Sequence, residues 1–162
     1  MGFESLQDVL ETELEDLHSA ETQLTKALPK MATAASNDEL KKAFEDHLEE
    51  TKGHIKRLEE ALGELGVKPT EECKAMKGLI AEGDEIISED GDPAAKDAAL
   101  IAAAQKVEHY EIASYGTVRQ LAGDCGFDSI KDLMDQTFEE ETAADKLLTK
   151  IATSKVNEKA TS

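Results

Sequence analysis

The chain has 162 residues, and its 36 acidic and 18 basic side chains give a formal net charge of −18. A charge of this sign excludes binding to nucleic acid or to anionic membranes through a basic surface. Tryptophan is absent, glycine and proline are scarce, and runs of alternating β-branched residues are lacking, which predicts an all-α protein. A chain of this length is expected to form one domain with a substantial core.

The cysteines and the apolar segments bear on where the protein is found. Cys73 and Cys125 are too few for a disulfide framework and do not form a CxxC metal motif, so we expect free thiols in a reducing compartment. No stretch is apolar over the length needed to cross a bilayer. The first residues carry neither the basic region nor the apolar core of a signal peptide. We therefore expect a cytoplasmic protein that binds neither nucleic acid nor a membrane.

Apolar residues recur three or four positions apart in the first sixty residues and predict two long helices. The first covers residues 4–35, and Pro29 is expected to kink its last turns without ending it. Residues 36–39 form a capping box in which the serine caps a second helix. That helix continues to about Leu62 and stops at the glycines that follow.

The helical pattern weakens after the second helix and then returns. We predict one shorter helix over residues 70–88, packed across one end of the bundle. Asp92 caps a third long helix over residues 93–122, whose first residue is proline. A fourth long helix is predicted over residues 129–154, and the polar tail at 156–162 is expected to be frayed and disordered.

Two helices joined by a short turn, a long connection and two further helices predict a four-helix bundle with one crossover. This is the connectivity of ferritin-like folds, and the crossover would carry the short extra helix. The first and second helical pairs resemble two copies of one hairpin. The expected architecture is thus a single ferritin-like domain over residues 1–155.

Carboxylates interrupt the apolar stripe of each long helix near its midpoint. A lone carboxylate that faces a core costs several kcal/mol unless it is neutralised, paired or bound to a metal. We therefore expect one glutamate from each helix to converge in one buried site: Glu21, Glu50, Glu111 and Glu141. The full set of candidate metal ligands is Glu21, His47, Glu50, His54, Glu108, Glu111, Glu141 and Asp145.

This donor set predicts a centre with two divalent metal ions. Single central carboxylates from two helices, with spaced pairs from the other two, are typical of di-iron and di-manganese carboxylate proteins. Oxygen-rich ligation with one or two imidazoles favours iron, with manganese as the alternative. The absence of thiolates argues against a zinc site of the finger type.

Four stretches of the sequence resemble the YciE/YciF family of bacterial ferritin-like stress proteins. They read DLHSAE at 16–21, HLEET at 47–51, ALIAAAQKVEHYEIASYG at 99–116 and EEETAAD at 139–145. The resemblance covers nearly the whole chain, and the third stretch is the most specific. It implies a ferritin-like bundle that forms a homodimer, holds a di-metal centre and is linked to stress responses.

The sequence departs from the wider ferritin-like superfamily in its histidines. Members of that superfamily usually carry Glu-x-x-His on the second and fourth helices, whereas the fourth helix here has Glu141 and Asp145 without a histidine. The second helix has His47 three residues before Glu50 and His54 four residues after it. Which histidine ligates is therefore open, and the family pattern favours His47.

Two classes of function compete at this point. The leading hypothesis is a redox-active di-iron protein that oxidises Fe(II) or consumes peroxide during stress, with dioxygen or peroxide as the small oxidant. The rival is a non-enzymatic protein, either a metal-binding or a structural dimer.

Overall fold

A computed structural model describes residues 2–161, and all regular secondary structure in that range is helical. The long helices lie where the apolar periodicity predicts them. The elements are α1 (Leu6–Ala34), α2 (Asp38–Leu65), α3 (Lys74–Ser88), α4 (Pro93–Asp124), α5 (Asp128–Ile151), a π-helical turn (Ala152–Val156) and α6 (Asn157–Ala160).

The four long helices form a closed bundle built from two helical hairpins. Helix α1 packs along α2, and α4 packs along α5, while contacts of α2 with α5 and of α1 with α4 close the bundle. The crossover between α2 and α4 carries α3. The predicted all-α four-helix bundle with one long crossover and a short extra helix is confirmed.

The position of α3 corrects one expectation. It does not lie across one end of the bundle but runs lengthwise in the groove between α1 and α4. At its start, the backbone N–H of Cys73 donates to Ser19 of α1, and near its end Asp84 pairs with Lys30. Its 15 residues make it shorter than the long helices, as predicted.

The turn between α1 and α2 is capped differently from the prediction. Asn37, not Ser36, is the N-cap, and its side chain accepts a 3.0 Å hydrogen bond from the N–H of Leu40. The backbone N–H groups of Ser36 and Asn37 both donate to Asp97 of α4, each at 2.8 Å. Asp97 is buried, so this carboxylate ties the turn to the third long helix.

The other helix ends follow the sequence signals. Helix α1 continues through Pro29, as predicted. Helix α2 runs three residues beyond the predicted end, to Leu65, and Gly66 closes it at φ 72°, a left-handed conformation that glycine adopts without strain. Asp92 caps α4, as predicted.

The C-terminal segment differs from the expected frayed tail. It continues from α5 through the π-helical turn into α6. Val156 is buried in the apolar cluster that also contains Leu24 and Leu100. A single apolar residue in a polar segment was too weak a signal to predict this packing. Within the described residues, no helix is long and apolar enough to cross a membrane.

Two apolar clusters fill the bundle, one at each end. The first contains residues such as Leu24, Phe44 and Leu100, and the second contains residues such as Leu14, Leu58 and Met134. A layer of buried polar side chains comes from the helix segments between these two clusters. Its members are Glu21, His47, Thr51, His54, Glu108, Glu111, Thr137 and Glu141.

Candidate metal centre

Each of the four long helices contributes to the buried polar layer because its apolar stripe is interrupted at the same level. Helix α1 contributes Glu21, and α5 contributes Glu141, both fully buried. Helix α2 contributes its two histidines, and α4 contributes two glutamates three residues apart. The histidines are seven residues apart and the glutamates three apart, and residues at either spacing share a helix face, so both members of each pair point into the bundle.

One group of possible ligands surrounds His47. Nε2 of His47 lies 3.1 Å from Oε1 of Glu108 and 3.4 Å from Oε2 of Glu141. Ligand atoms of these three residues and Glu111 all lie within 4.8 Å of one another. Three carboxylates and one imidazole therefore converge on one small volume.

A second group surrounds His54. Its Nδ1 lies 3.0 Å from Oε1 of Glu21 and 2.9 Å from Oε1 of Glu141. Ligand atoms of these three residues also lie within 4.8 Å of one another. Glu141 belongs to both groups, with one oxygen facing each histidine, which is the placement that a bridging carboxylate requires.

Several oxygen atoms in this layer lack hydrogen-bond partners. Both carboxylate oxygens of Glu111 are buried without a hydrogen bond, as is one oxygen each of Glu21 and Glu108. The two oxygens of Glu141 make no hydrogen bond of good geometry, and they lie 2.9 Å from Nδ1 of His54 and 3.4 Å from Nε2 of His47. Native proteins pair the great majority of such groups. Buried carboxylate oxygens and imidazole nitrogens are ordinary metal ligands, so these side chains could hold a metal ion.

The carboxylates are strained electrostatically. Burial raises the pKa of Glu111 well above its ordinary value of 4.5, and the nearby carboxylates of Glu141, Glu21 and Glu108 raise it further. The pKa of Glu141 is also raised well above 4.5, by burial first and then by Glu108. Buried like charges at this spacing favour protonation or binding of a cation.

His47 and Glu108 form an ion pair within the layer. Burial alone would lower the pKa of His47, but the carboxylates of Glu108, Glu50 and Glu141 outweigh it and raise this pKa well above 6.5. Burial alone would raise the pKa of Glu108, yet the charge on His47 leaves it lowered. The opposite directions of the two shifts reflect one charged pair.

Contacts outside the carboxylate layer hold His54 and Glu21 in place. Nε2 of His54 lies 2.8 Å from Glu140, which Arg57 holds through two hydrogen bonds of 2.8 Å each. On the opposite side, the hydroxyl of Tyr115 donates a 2.6 Å hydrogen bond to Oε1 of Glu21. The sequence prediction missed Glu140, although Arg57 three residues after His54 pointed to an acidic partner on that face.

Two predicted ligands lie away from the convergence. Glu50 is 46% exposed and accepts a 3.0 Å contact from Nδ1 of His47, so it supports that ring from the rim instead of entering the buried site. Asp145 lies 3.2 Å from Nε2 of the exposed His109 and also contacts Gln105. The expectation that Glu50 would lie with the buried glutamates is therefore wrong, and Asp145 is not brought into either group.

The physical reason is angular. Helical geometry advances about 100° per residue, so a residue three or four positions from an inward one is offset by about 40–60°. On α2 this offset turns His54 into the bundle and leaves Glu50 at its surface. On α5 it turns Asp145 away from the centre, toward the exposed His109 of α4. Spacing alone does not settle which side of the stripe faces the centre.

Fold and site together define the class of this protein: a ferritin-like four-helix bundle with a buried cluster of carboxylates and histidines that is compatible with metal binding. A dodecameric thioferritin from Bacteroides fragilis, 16% identical, has the same fold with a TM-score of 0.74, over 97% of this chain and 91% of that one.

The chain belongs to the family described as "Domain of unknown function (DUF892)", whose model matches residues 5–161. Protein YciF of Escherichia coli strain K12 is 48% identical over 163 residues, which are 99% of this chain and 98% of that protein. The crystal structure of that stress protein matches with a TM-score of 0.92 over 96% of this chain and 99% of that one. YcfI from Rhodopseudomonas palustris, 44% identical, matches with a TM-score of 0.86 over 90% and 94% of the two chains. The resemblance to the YciE/YciF family is confirmed.

Proposed function

We propose that the protein binds two divalent metal ions in the buried carboxylate layer, and that it uses them to oxidise Fe(II) or to consume peroxide. Iron is the first choice of metal and manganese the alternative. The observation that carries the proposal is Glu111, whose two buried carboxylate oxygens have no hydrogen-bond partner, beside Glu141, whose oxygens lie between the two histidines. Their pKa values, raised by burial, show the cost of holding these groups together without a cation.

The assignment of ligands follows from the two groups. One ion would be held by His47, Glu108, Glu111 and Glu141, and the other by Glu21, His54 and Glu141. The four glutamates carry four negative charges when ionised, which two divalent cations neutralise. This balance favours two ions over one. Both histidines would be ligands, one in each group, although the family pattern favoured His47 over His54.

Bound iron would supply the capacity for one-electron oxidation and reduction at neutral pH. The protein's own residues do the remaining work. The apolar clusters on both sides of the layer keep bulk water out, and Tyr115 fixes the orientation of Glu21. Glu140, which is partly exposed, contacts Nε2 of His54 and leaves Nδ1 to face the centre, so it fixes the orientation of this ring.

A non-enzymatic metal-binding or structural dimer is the second candidate. The observation in its favour is that YcfI from Rhodopseudomonas palustris, 44% identical to this chain, is described as "a putative structural protein". A homodimer, a role in the stress response and a cytoplasmic location are parts of the proposal under either candidate.

Anaerobic titration with Fe(II), followed by admission of air, tests the proposal. We expect two Fe(II) per chain to bind and a ferric carboxylate absorption band to develop within seconds of exposure to air. Glu111→Gln should abolish this band, whereas the matched control Asp145→Asn should leave it unchanged because Asp145 lies outside both ligand groups.

Binding of Fe(II) without oxidation would favour the non-enzymatic candidate, and an absence of binding would refute both metal-based candidates. Oxygen evolution from peroxide by the manganese form would instead indicate a catalase-like reaction.

A further inference from the structure

An apolar cavity of about 200 Å³ lies beside the polar layer, in the half of the bundle filled by the apolar cluster of Leu24, Phe44 and Leu100. All five main helices contribute to its wall. Apolar side chains such as Leu28, Phe44, Ile80 and Leu148 form most of that wall, and His47 and Glu108 line it where it meets the candidate metal centre. The cavity opens to the surface beside Asp46, Glu50 and Leu147, which are exposed, and its apolar wall runs inward from there to the polar layer.

Gly83 helps to keep this cavity open. It is a buried residue of α3 on the cavity wall, and a Cβ added there would meet no atom within 4 Å. Glycine in a helix interior is less favourable than alanine by about 1 kcal/mol. Alanine would therefore improve the helix, and its Cβ would fit without a clash, so the glycine costs helix stability and keeps the cavity wall open.

The charges around the cavity already have partners. Its acidic lining residues are Asp46, Glu50, Asp84 and Glu108, and neither lysine nor arginine lines it. Lys42 contacts Asp46 at 2.7 Å, and Lys30 contacts Asp84 at 3.3 Å. His47 contacts both glutamates, at 3.0 and 3.1 Å. No basic side chain is left to bind an anion, and a cation would have to displace the lysines or the histidine that already contact the acidic residues. Burying an unpaired ion in an apolar cavity costs several kcal/mol.

We propose that this cavity binds a neutral organic molecule made of an alkyl chain with one small uncharged polar head group. The chain occupies the apolar part, and the head group lies at the end formed by His47 and Glu108. Binding of the alkyl chain needs no metal. That the metal ions act on the head group is a further step, which rests on the function proposed above.

The volume sets the size of the molecule. An engineered apolar cavity of about 150 Å³ in another protein takes up benzene, so 200 Å³ corresponds to about eight non-hydrogen atoms. 1-Heptanol has this size and the proposed chemistry. Heptanoate and heptylammonium have the same chain with an anionic or a cationic head, and they are the matched ionic probes.

The test is calorimetric titration of the full chain with 1-heptanol, once with chelator and once loaded with Mn(II). We expect one molecule per chain in both forms. Gly83→Leu should weaken binding more than about tenfold, because the four carbons of leucine take up about half of the space. Ala144→Leu repeats the block from the α5 side of the cavity. Gly78→Leu is the matched control, because it lies on the same helix, has the same open space around its Cβ and does not line the cavity.

The outcomes separate this proposal from the metal proposal. The cavity proposal is supported if wild type and Gly78→Leu bind heptanol alike and both blocking variants and both ionic probes bind more than about tenfold more weakly. It is overturned if heptanol does not bind, or if the folded blocking variants bind heptanol as tightly as wild type does. It is also overturned if either ionic probe binds to wild type as tightly as heptanol does. Light scattering must give the same molar mass before and after titration, since dissociation of a dimer by heptanol would instead assign the apolar surface to a second copy of the chain. Heptanol binding without uptake of Mn(II) or Fe(II) would leave the cavity proposal standing and refute only the metal centre.

Discussion

Glu140 and Glu141 are consecutive in α5, yet their carboxylates contact opposite nitrogens of one imidazole. Oε1 of Glu141 lies 2.9 Å from Nδ1 of His54 inside the bundle, whereas Oε2 of Glu140 lies 2.8 Å from its Nε2 on the side that reaches solvent. Arg57, through its hydrogen bonds, and then His54 lower the pKa of Glu140, so this carboxylate stays charged. The ring of His54 is thus fixed from both sides, with Nδ1 directed at the candidate metal centre.

The first prediction concerns Glu140 as a positioning residue. Glu140→Ala removes the partner of Nε2 and frees the ring of His54 to rotate, so the affinity for the second metal ion should fall by about 10–100-fold. Glu140→Gln keeps an oxygen that can accept from Nε2–H and should restore most of the affinity. Competition with a chromogenic chelator measures the dissociation constant of the metal ion for each variant.

The control for this prediction is Glu139→Ala, because Glu139 is exposed on the same turn of α5. It should leave the affinity unchanged. Equal affinities for Glu140→Ala and wild type would show that the contact with Glu140 does not orient the histidine.

The sequence predicted the bundle because four apolar stripes of sufficient length leave few other ways to bury them. It also predicted that Glu21, Glu111 and Glu141 face the core, because each lies at the centre of its own stripe, and all three are fully buried. A central position tolerates error in the rotation of the helix about its axis. These three predictions therefore did not depend on details of packing.

Positions at the margin of a stripe could not be settled in this way. Glu50 and His54 lie on opposite sides of the stripe of α2, and the rotation of that helix against α5 decides which of them is buried. Asp145 failed for the same reason on α5. The carboxylate of Asp97 was missed because its partners lie about sixty residues earlier in the chain, in a turn whose position only the fold determines.

The second prediction tests the anchoring of that turn. Asp97→Ala leaves two backbone N–H groups without acceptors in a partly buried place, which should lower the free energy of unfolding by about 1–3 kcal/mol. Metal affinity should not change, because Asp97 belongs to neither ligand group. Urea denaturation of the metal-free protein measures the loss.

The comparison variant is Asp135→Ala, which removes an exposed ion pair with Arg119. Exposed pairs contribute about 0–1 kcal/mol, so its effect should be clearly smaller. If both variants lose the same amount, the two hydrogen bonds of Asp97 do not stabilise the turn.

The third prediction links metal binding to stability. For each ion, a free metal concentration about a hundredfold above the dissociation constant adds about 2.7 kcal/mol, which raises the melting temperature of a chain of this size by about 5–10 °C per ion. Glu111→Gln should lose this rise. Without metal, the same variant should melt above the wild type, because one of the mutually repelling buried carboxylates has gone.

Thermal melting with chelator, Mn(II) and anaerobic Fe(II) gives all of these values. Asp145→Asn is the matched acidic control and should respond to metal like the wild type. Should the wild type melt at the same temperature with and without metal, the carboxylate layer is not a metal centre.

The last prediction is the pH dependence of the metal-free protein. The folded pKa values of Glu111 and Glu141 lie above the ordinary 4.5, and those of His47 and His54 lie above 6.5. Above those ordinary values the unfolded chain has lost protons that the folded chain still holds, so stability must fall as the pH rises from about 5 to 8. Glu108, whose pKa is lowered, acts in the opposite sense, but only below about pH 4.5.

Metal reverses the sign of this dependence. Protons compete with cations for the same carboxylates and imidazoles, so the metal-loaded protein should gain stability over the same range. Urea denaturation at half-unit steps of pH, with chelator and with Mn(II), should therefore give two curves with opposite slopes. Glu111→Gln should show a shallower fall without metal, since it carries one titrating group fewer. A metal-free protein that becomes more stable between pH 5 and 8 would mean that these carboxylates are already ionised and satisfied, and the argument for cations in their midst would fail with it.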